Sequence, residues 1–295
     1  MIEALDFAQG DRWGLYNGDC IDVMQQLPAE SVGYSVFSPP FASLYTYSNS
    51  DRDLGNCRDH QDFFDHFAFV LEGLKRIIKP GRLISMHCMD MPLTKTSHGV
   101  IGAWDFPGLL IAAAERAGFV FHSRVCIWKD PVVAMQRTKA IGLLYKQVRK
   151  DSALSRQGFA DYIVTLRDPR DNGEPIAKDE DAFPVGLWQR YASPVWMDID
   201  QSDTLQYRAA RDGNDERHIA PLQLGVIRRC VDLWSNPGDI VFSPFAGIGS
   251  EPYVAAEMGR FGLGAELKPS YFNQAVKNLQ SLQHATVSIV DEPVS

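Results

Sequence analysis

Apolar strand-like runs that alternate with helical segments leave a chain few ways to fold. From His60 to Cys88 the sequence reads HQDFFDHFAFVLEGLKRIIKPGRLISMHC. Phe63, Phe67, Val70, Leu71, Leu74, Ile77 and Ile78 recur at helical spacing, and Pro80-Gly81 is expected to stop the helix. RLISMHC then has the apolar character of a buried strand. The pairing returns in FPGLLIAAAERAGF followed by VFHSRVCIWK, and again in PYVAAEMG, RFGLGAEL and PSYFNQAVKNLQSL. Strands joined through helices lie parallel, with the helices packed on the faces of the sheet. An α/β fold with a mostly parallel sheet follows.

The alternation fails between residues 131 and 215. The first part of this region is basic: from Arg124 to Arg170 there are ten Lys/Arg against four Asp. The second part, DNGEPIAKDEDAF, is acidic and reads as an exposed loop. The framework is therefore expected in two pieces, 1–130 and 216–295, with 131–215 inserted between them. The chain as a whole carries a net charge of -8, which argues against a surface coated in basic residues and makes the local surplus more pointed.

Other classes drop out. The 295 residues and 45% hydrophobic content suit one large globular domain. Five cysteines, at 20, 57, 88, 126 and 230, form no CxxC pair and read as reduced core thiols. His60 and His66 lack ligand spacing, and His87, Cys88 and Asp90 alternate between the faces of a strand, so no metal is expected. No apolar run approaches roughly 18 residues, and the start MIEALDFAQGDRWG has no signal-peptide pattern. A cytoplasmic protein without a membrane segment is the expectation.

Two strand exits carry the chemistry. In VFSPPFASLYTYS the strand runs into Ser38-Pro39-Pro40-Phe41, where two prolines end any ladder and hold the backbone still. In IVFSPFAGIGSE a second strand runs into Phe245, Gly247 and Gly249 and then a helix, a turn whose backbone can approach a ligand closely. The next strand ends in Glu266, where an acid can grip a pair of ribose hydroxyls. In a parallel sheet both exits open on the same edge, the edge where such folds bind ligands.

The order of these motifs resembles the β arrangement of S-adenosylmethionine-dependent DNA amino-methyltransferases. In that family the catalytic tetrapeptide (Asp, Asn or Ser, then Pro-Pro, then an aromatic) comes first. A target recognition region follows, and a cofactor-binding FxGxG stands near the C-terminus. NGDCIDVMQQLPAESVGYSVFSPPF and RHIAPLQLGVIRRCVDLWSNPGDIVFSPFAGIGSE are similar to the family's two blocks throughout. The resemblance is closest to solitary or prophage-type members.

That resemblance implies a Rossmann-like methyltransferase fold with helices on both faces and residues 131–215 as the DNA target recognition region. It implies S-adenosylmethionine as cofactor, double-stranded DNA as partner, a homodimer as the assembly, and a bacterial or phage origin. It places Ser38, Pro39, Pro40 and Phe41 in catalysis. The Ser38 hydroxyl and the Pro39 carbonyl accept hydrogen bonds from the exocyclic amine of an extruded base, and Phe41 stacks on its ring. It places Asp19, Cys20, His218, Ser243, Phe245, Gly247, Gly249, Ser250 and Glu266 around the cofactor, with Asp19 facing the adenine. His218 departs from the family's usual lysine-proline pattern. Glu251 begins a helix, where an acid is favourable without any ligand. Adenine N6 is the expected target, with cytosine N4 as the alternative. The family pairs an aspartate at the first tetrapeptide position with adenine and a serine with cytosine.

Overall fold

The structure, a computed structural model, describes residues 6–40, 57, 60–93, 95, 99–132, 144–206 and 221–288. The N-terminal half supplies β1 (Asp6–Gln9), β2 (Trp13–Asn17), α1 (Cys20–Gln26), β3 (Val32–Phe37), α2 (His60–Ile77), β4 (Ile78–Met89), β5 (Met91–Leu93), β6 (Gly102–Trp104), α3 (Phe106–Arg116) and β7 (Val120–Ile127). Then come α4 (Tyr145–Lys150), β8 (Asp161–Arg167), α5 (Val185–Tyr191) and β9 (Val195–Trp196). The C-terminal part adds α6 (Leu224–Trp234), β10 (Ile240–Ser243), α7 (Ser250–Glu257), β11 (Phe261–Glu266) and α8 (Pro269–Ser288).

Nine of these strands form one sheet in the order β1-β2-β11-β10-β3-β4-β8-β7-β9. From β2 to β4 every neighbour is parallel, which bears out the α/β reading. β3 (VGYSVF) is buried at every residue, the signature of a strand covered on both faces. On one side α1, α2 and α3 pack on Phe37, Ile84, Met86, Cys88, Val164 and Leu166. On the other, α6 and α7 cover Tyr34, Val36, Leu83, Val125 and Ile163. α8 lies along β2 and α7, over Trp13, Leu15 and Ala246.

The expected α2 stripe is the buried one: Phe63, Phe67, Leu71, Leu74 and Ile77 are fully enclosed. The helix ends at Ile77, however, before the Pro80-Gly81 stop, because Ile78 already pairs with Val32 of β3. The long-range ladder outcompetes one more helical turn.

The stretch 131–215 differs more from expectation. It contributes two strands to the sheet. β8 inserts antiparallel between β4 and β7, and β9 pairs with β7 at the edge. Its other described segments lie outside the sheet. Among the described residues no helix is long and apolar enough to cross a membrane. None of the five cysteines is in a disulfide, and four of them are buried.

Candidate active site

The C-terminal ends of β2, β11, β10, β3 and β4 meet at one edge. At β10 the chain leaves Ser243 and turns through residues 244–249 into α7. Gly247 and Gly249 adopt φ of 53° and 87°, a region that costs other residues about 1–2 kcal/mol. Gly262 of β11 lets α7 seat closely, since a Cβ there would stand 2.1 Å from the Pro252 carbonyl oxygen. The turn is thus set by backbone shape at both ends.

Glu266 stands at the tip of β11 and holds this turn. Its Oε2 accepts the Gly247 N–H at 2.8 Å, and its Oε1 accepts the Lys268 N–H at 2.9 Å. A carboxylate oxygen can accept more than one hydrogen bond, so holding the turn is compatible with gripping a ribose hydroxyl pair. The sequence suggests only that ligand role; the structural role of strapping the turn is not visible in it. Beside Glu266, Asp19 caps α1 by accepting the Ile21 N–H at 2.8 Å. Cys20 is buried at the start of α1, and burial, then the Asp19 charge, push its thiol pKa well up.

These residues fit a nucleoside-bearing cofactor. Among the described residues nothing lies within 4 Å of where a Cβ on Gly247 would point. The hydroxyls of Ser243 and Ser250 are buried at the turn with no hydrogen-bond partner among the described residues. Phe245 is half-buried, and its ring lies 5.8 Å from that of Phe37, tying the glycine turn to the end of β3. His218 lies outside the described residues, and so does Phe41.

Glu251, in sequence an ordinary first-turn acid, is only 5% exposed inside α7. Burial, with the neighbouring Glu266 charge adding to it, pushes its carboxyl up to about 8 despite a lowering backbone hydrogen bond. The cofactor turn therefore contains a carboxyl group, Glu251, that burial holds protonated at neutral pH.

At the other end of the edge, Ser38, Pro39 and Pro40 follow β3. Pro39 is buried and Ser38 half-buried. The Ser38 hydroxyl lies 3.0 Å from His87 Nδ1 of β4. His87 Nε2 lies 3.1 Å from Asp161 Oδ2, at the first residue of β8. Lys129, just past β7, also places its ammonium on Asp161 Oδ2. Asp161 is buried, which alone would raise its pKa, but His87 and then Lys129 hold it below the usual carboxylate range. The register explains the meeting. β8 runs antiparallel, so its beginning, not its end, reaches this edge, opposite Met89 of β4 and Ile127 of β7. The alternation along β4 also sends Cys88 into the opposite core, as expected. Among the described residues no group of three metal-ligating side chains gathers.

The sequence model of one family, described as DNA methylase, matches residues 32–277. The chain belongs to the DNA methylase family. Among curated relatives, the type II methyltransferase HindIII of Haemophilus influenzae is 25% identical over 90% of this chain and 94% of its own. The type II methyltransferase BglII of Bacillus subtilis is 24% identical over 90% of this chain and 68% of its own. The DNA adenine methyltransferase YhdJ of Escherichia coli is 23% identical over 92% and 83%. Of the solved structures, a Thermus thermophilus protein described as a DNA modification methylase, complexed with S-adenosyl-L-methionine, superposes with a TM-score of 0.68 at 23% identity. It covers 92% of this chain and 94% of that one. The cytosine-N4-specific PvuII DNA methyltransferase gives 0.66 at 14% identity over 96% and 97%. These likenesses carry the methyltransferase fold. Membership of the family makes this DNA methylase an S-adenosylmethionine-dependent enzyme acting on adenine N6 or cytosine N4.

Proposed function

We propose that the chain methylates the exocyclic amine of one base flipped out of duplex DNA, with adenine N6 as the first assignment. The observation that carries the amino-methyl reading is the shared edge: the glycine turn strapped by Glu266 and the Ser38-Pro39-Pro40 turn are joined through the Phe37–Phe245 contact. When bound, S-adenosylmethionine supplies an electrophilic methyl group on a sulfonium. Glu266, Asp19, Cys20, Ser243, Phe245, Gly247, Gly249 and Ser250 would hold it. His218, outside the described residues, keeps its assignment to the same pocket.

The Ser38 hydroxyl and the Pro39 carbonyl accept the two amine hydrogens. This draws the nitrogen lone pair out of conjugation with the ring and fixes its direction. Phe41 stacks on the base. Cytosine N4 is the second reading, favoured by one observation: the first tetrapeptide residue is Ser38.

DNA contacts fall to the parts of 131–215 outside the sheet. On the exposed α4, Lys146, Arg149 and Lys150 make no ion pair among the described residues and suit phosphates. Part of the basic surplus is engaged elsewhere, with Lys129 on Asp161 and Arg170 on Asp168 and Glu30. A homodimer in the cytoplasm of a bacterium, or of a phage-infected cell, completes the reading.

Incubating duplex DNA with the protein and S-adenosylmethionine, then resolving the nucleosides by mass, tests this directly. N6-methyladenine is expected, and its formation should disappear in Phe41→Ala. N4-methylcytosine would select the second reading, and methylation of RNA but not DNA would overturn both.

A further inference from the structure

We infer that His87, set by Asp161 and Lys129, is the positioning residue that makes Ser38 a one-way acceptor and draws off the amine proton. The inference rests on the amino-methyl reading above.

A serine hydroxyl has one hydrogen to give and two lone pairs to offer. Left to rotate, it can turn its hydrogen toward the target amine and oppose the lone pair that must attack. The structure gives that hydrogen another destination. Ser38 Oγ lies 3.0 Å from His87 Nδ1. The buried Asp161 Oδ2 lies 3.1 Å from Nε2 on the other side of the ring. A neutral ring with its proton on Nδ1 would turn a bare Nε2 toward a carboxylate, two acceptors face to face. The arrangement therefore selects the Nε2–H tautomer, with Nδ1 left to accept from Ser38. Asp161 Oδ1 is buried without a hydrogen bond among the described residues, and Nε2 meets Oδ2 as a close ion-pair contact rather than an aligned hydrogen bond, with the Lys129 ammonium on the same oxygen.

Several described residues from neighbouring elements face His87. Ser38 comes from the end of β3, Asp161 from β8, Lys129 from beyond β7, and Cys126 of β7 senses the Asp161 charge. On its own strand Cys88 faces the opposite core, and just beyond the strand Asp90 lies near Asp105 and Arg124.

The step balances. The N–CH3 bond forms as the S–CH3 bond breaks. One N–H bond of the amine then breaks, its electron pair staying on nitrogen. That proton passes to Ser38 Oγ while the Ser38 proton passes to His87 Nδ1. The imidazolium is held by Asp161 until it loses its extra proton to solvent. A serine so arranged does the accepting work of an aspartate and has an outlet for the proton that a lone hydroxyl lacks.

The test compares wild type, His87→Asn and Asp161→Asn for kcat against pH, duplex KM and cofactor Kd. Asparagine at 87 keeps an amide oxygen that can hold the Ser38 hydroxyl but cannot take a proton. We expect kcat to fall by about a hundredfold in His87→Asn, with KM and Kd within twofold. The acid limb of the wild-type profile should vanish there. In Asp161→Asn that limb should move to lower pH, because the imidazolium loses its counter-charge. Wild-type kcat in His87→Asn, an unmoved limb in Asp161→Asn, or parallel loss of cofactor binding each overturn the inference. A wild type that methylates no DNA would sink the amino-methyl reading instead. Nitrogen NMR of the labelled wild type then still decides the geometry: a proton on His87 Nε2 supports it, and a proton on Nδ1 alone overturns it.

Discussion

The two ends of the active edge are built on different principles. The cofactor end is made by backbone: two glycines at positive φ, a third under α7, and a carboxylate holding a turn N–H 19 residues before it. Its turn comes from β10, α7 and β11, close in sequence, with only Asp19 and Cys20 at the start of α1 brought in from afar. The target end is made by side chains drawn from β3, β4, β8 and the residues after β7, spread from Ser38 to Asp161. Local chemistry fixes the first; sheet topology fixes the second. A chain can keep its cofactor turn while its catalytic surroundings drift.

If the ends are separable, paired variants should split cleanly. Ser38→Ala should lower kcat by about 10²–10³-fold with cofactor Kd unchanged. Glu266→Ala should raise cofactor Kd by about a hundredfold, because charged hydrogen bonds disappear, with duplex binding intact. Calorimetric titration with each ligand checks both, and a Ser38→Ala that no longer binds the cofactor would erase the contrast.

A smaller effect probes the cofactor end alone. Folded Glu251 keeps its proton up to about pH 8, whereas the unfolded carboxyl loses it near 4.5. The folded state therefore holds the extra proton between these values, and stability falls as pH rises through that window. Glu251→Gln removes the penalty. The variant should match wild type near pH 4 and exceed it above pH 8. Each unit of displacement is worth about 1.4 kcal/mol. Urea melts at pH 4 and 9 measure it, and equal gains at both would refute the assignment.

The smallest expected change lies outside both ends. Replacing Lys146, Arg149 and Lys150 of α4 with glutamate should weaken duplex binding by about tenfold at moderate salt. It should also flatten the salt dependence, by roughly 0.9 in the log–log slope for each phosphate no longer neutralised. An unchanged slope would move the DNA path off α4.

This contrast also governs what the sequence reveals. The glycine turn, Glu266 and the Ser38-Pro39-Pro40 exit are legible because each is a short run with one physical reason. The α2 stripe is legible through its period. β8 is hidden although DYIVTLR has strand character, because it sits in a stretch without alternating helices and runs against the parallel trend. Asp161 is hidden with it, and so is the significance of His87, which in sequence alone offers only a poor metal ligand. Their partnership depends on the register of two strands far apart in the chain, and no local pattern encodes that. Glu251 looks like a helix-start acid because spacing reports position on a helix, not what covers it.

The Lys129–Asp161 contact has one more consequence. It fastens together the two ends of the chain between them, like the clasp of a necklace. What hangs from the clasp can change in length without disturbing the sheet, since doubling a flexible loop adds only about 0.6 kcal/mol of closure cost. Segments from other family members could therefore be grafted between these two residues as interchangeable cassettes. The clasp itself would stay, because its acidic half is also the residue that faces His87 behind the catalytic serine.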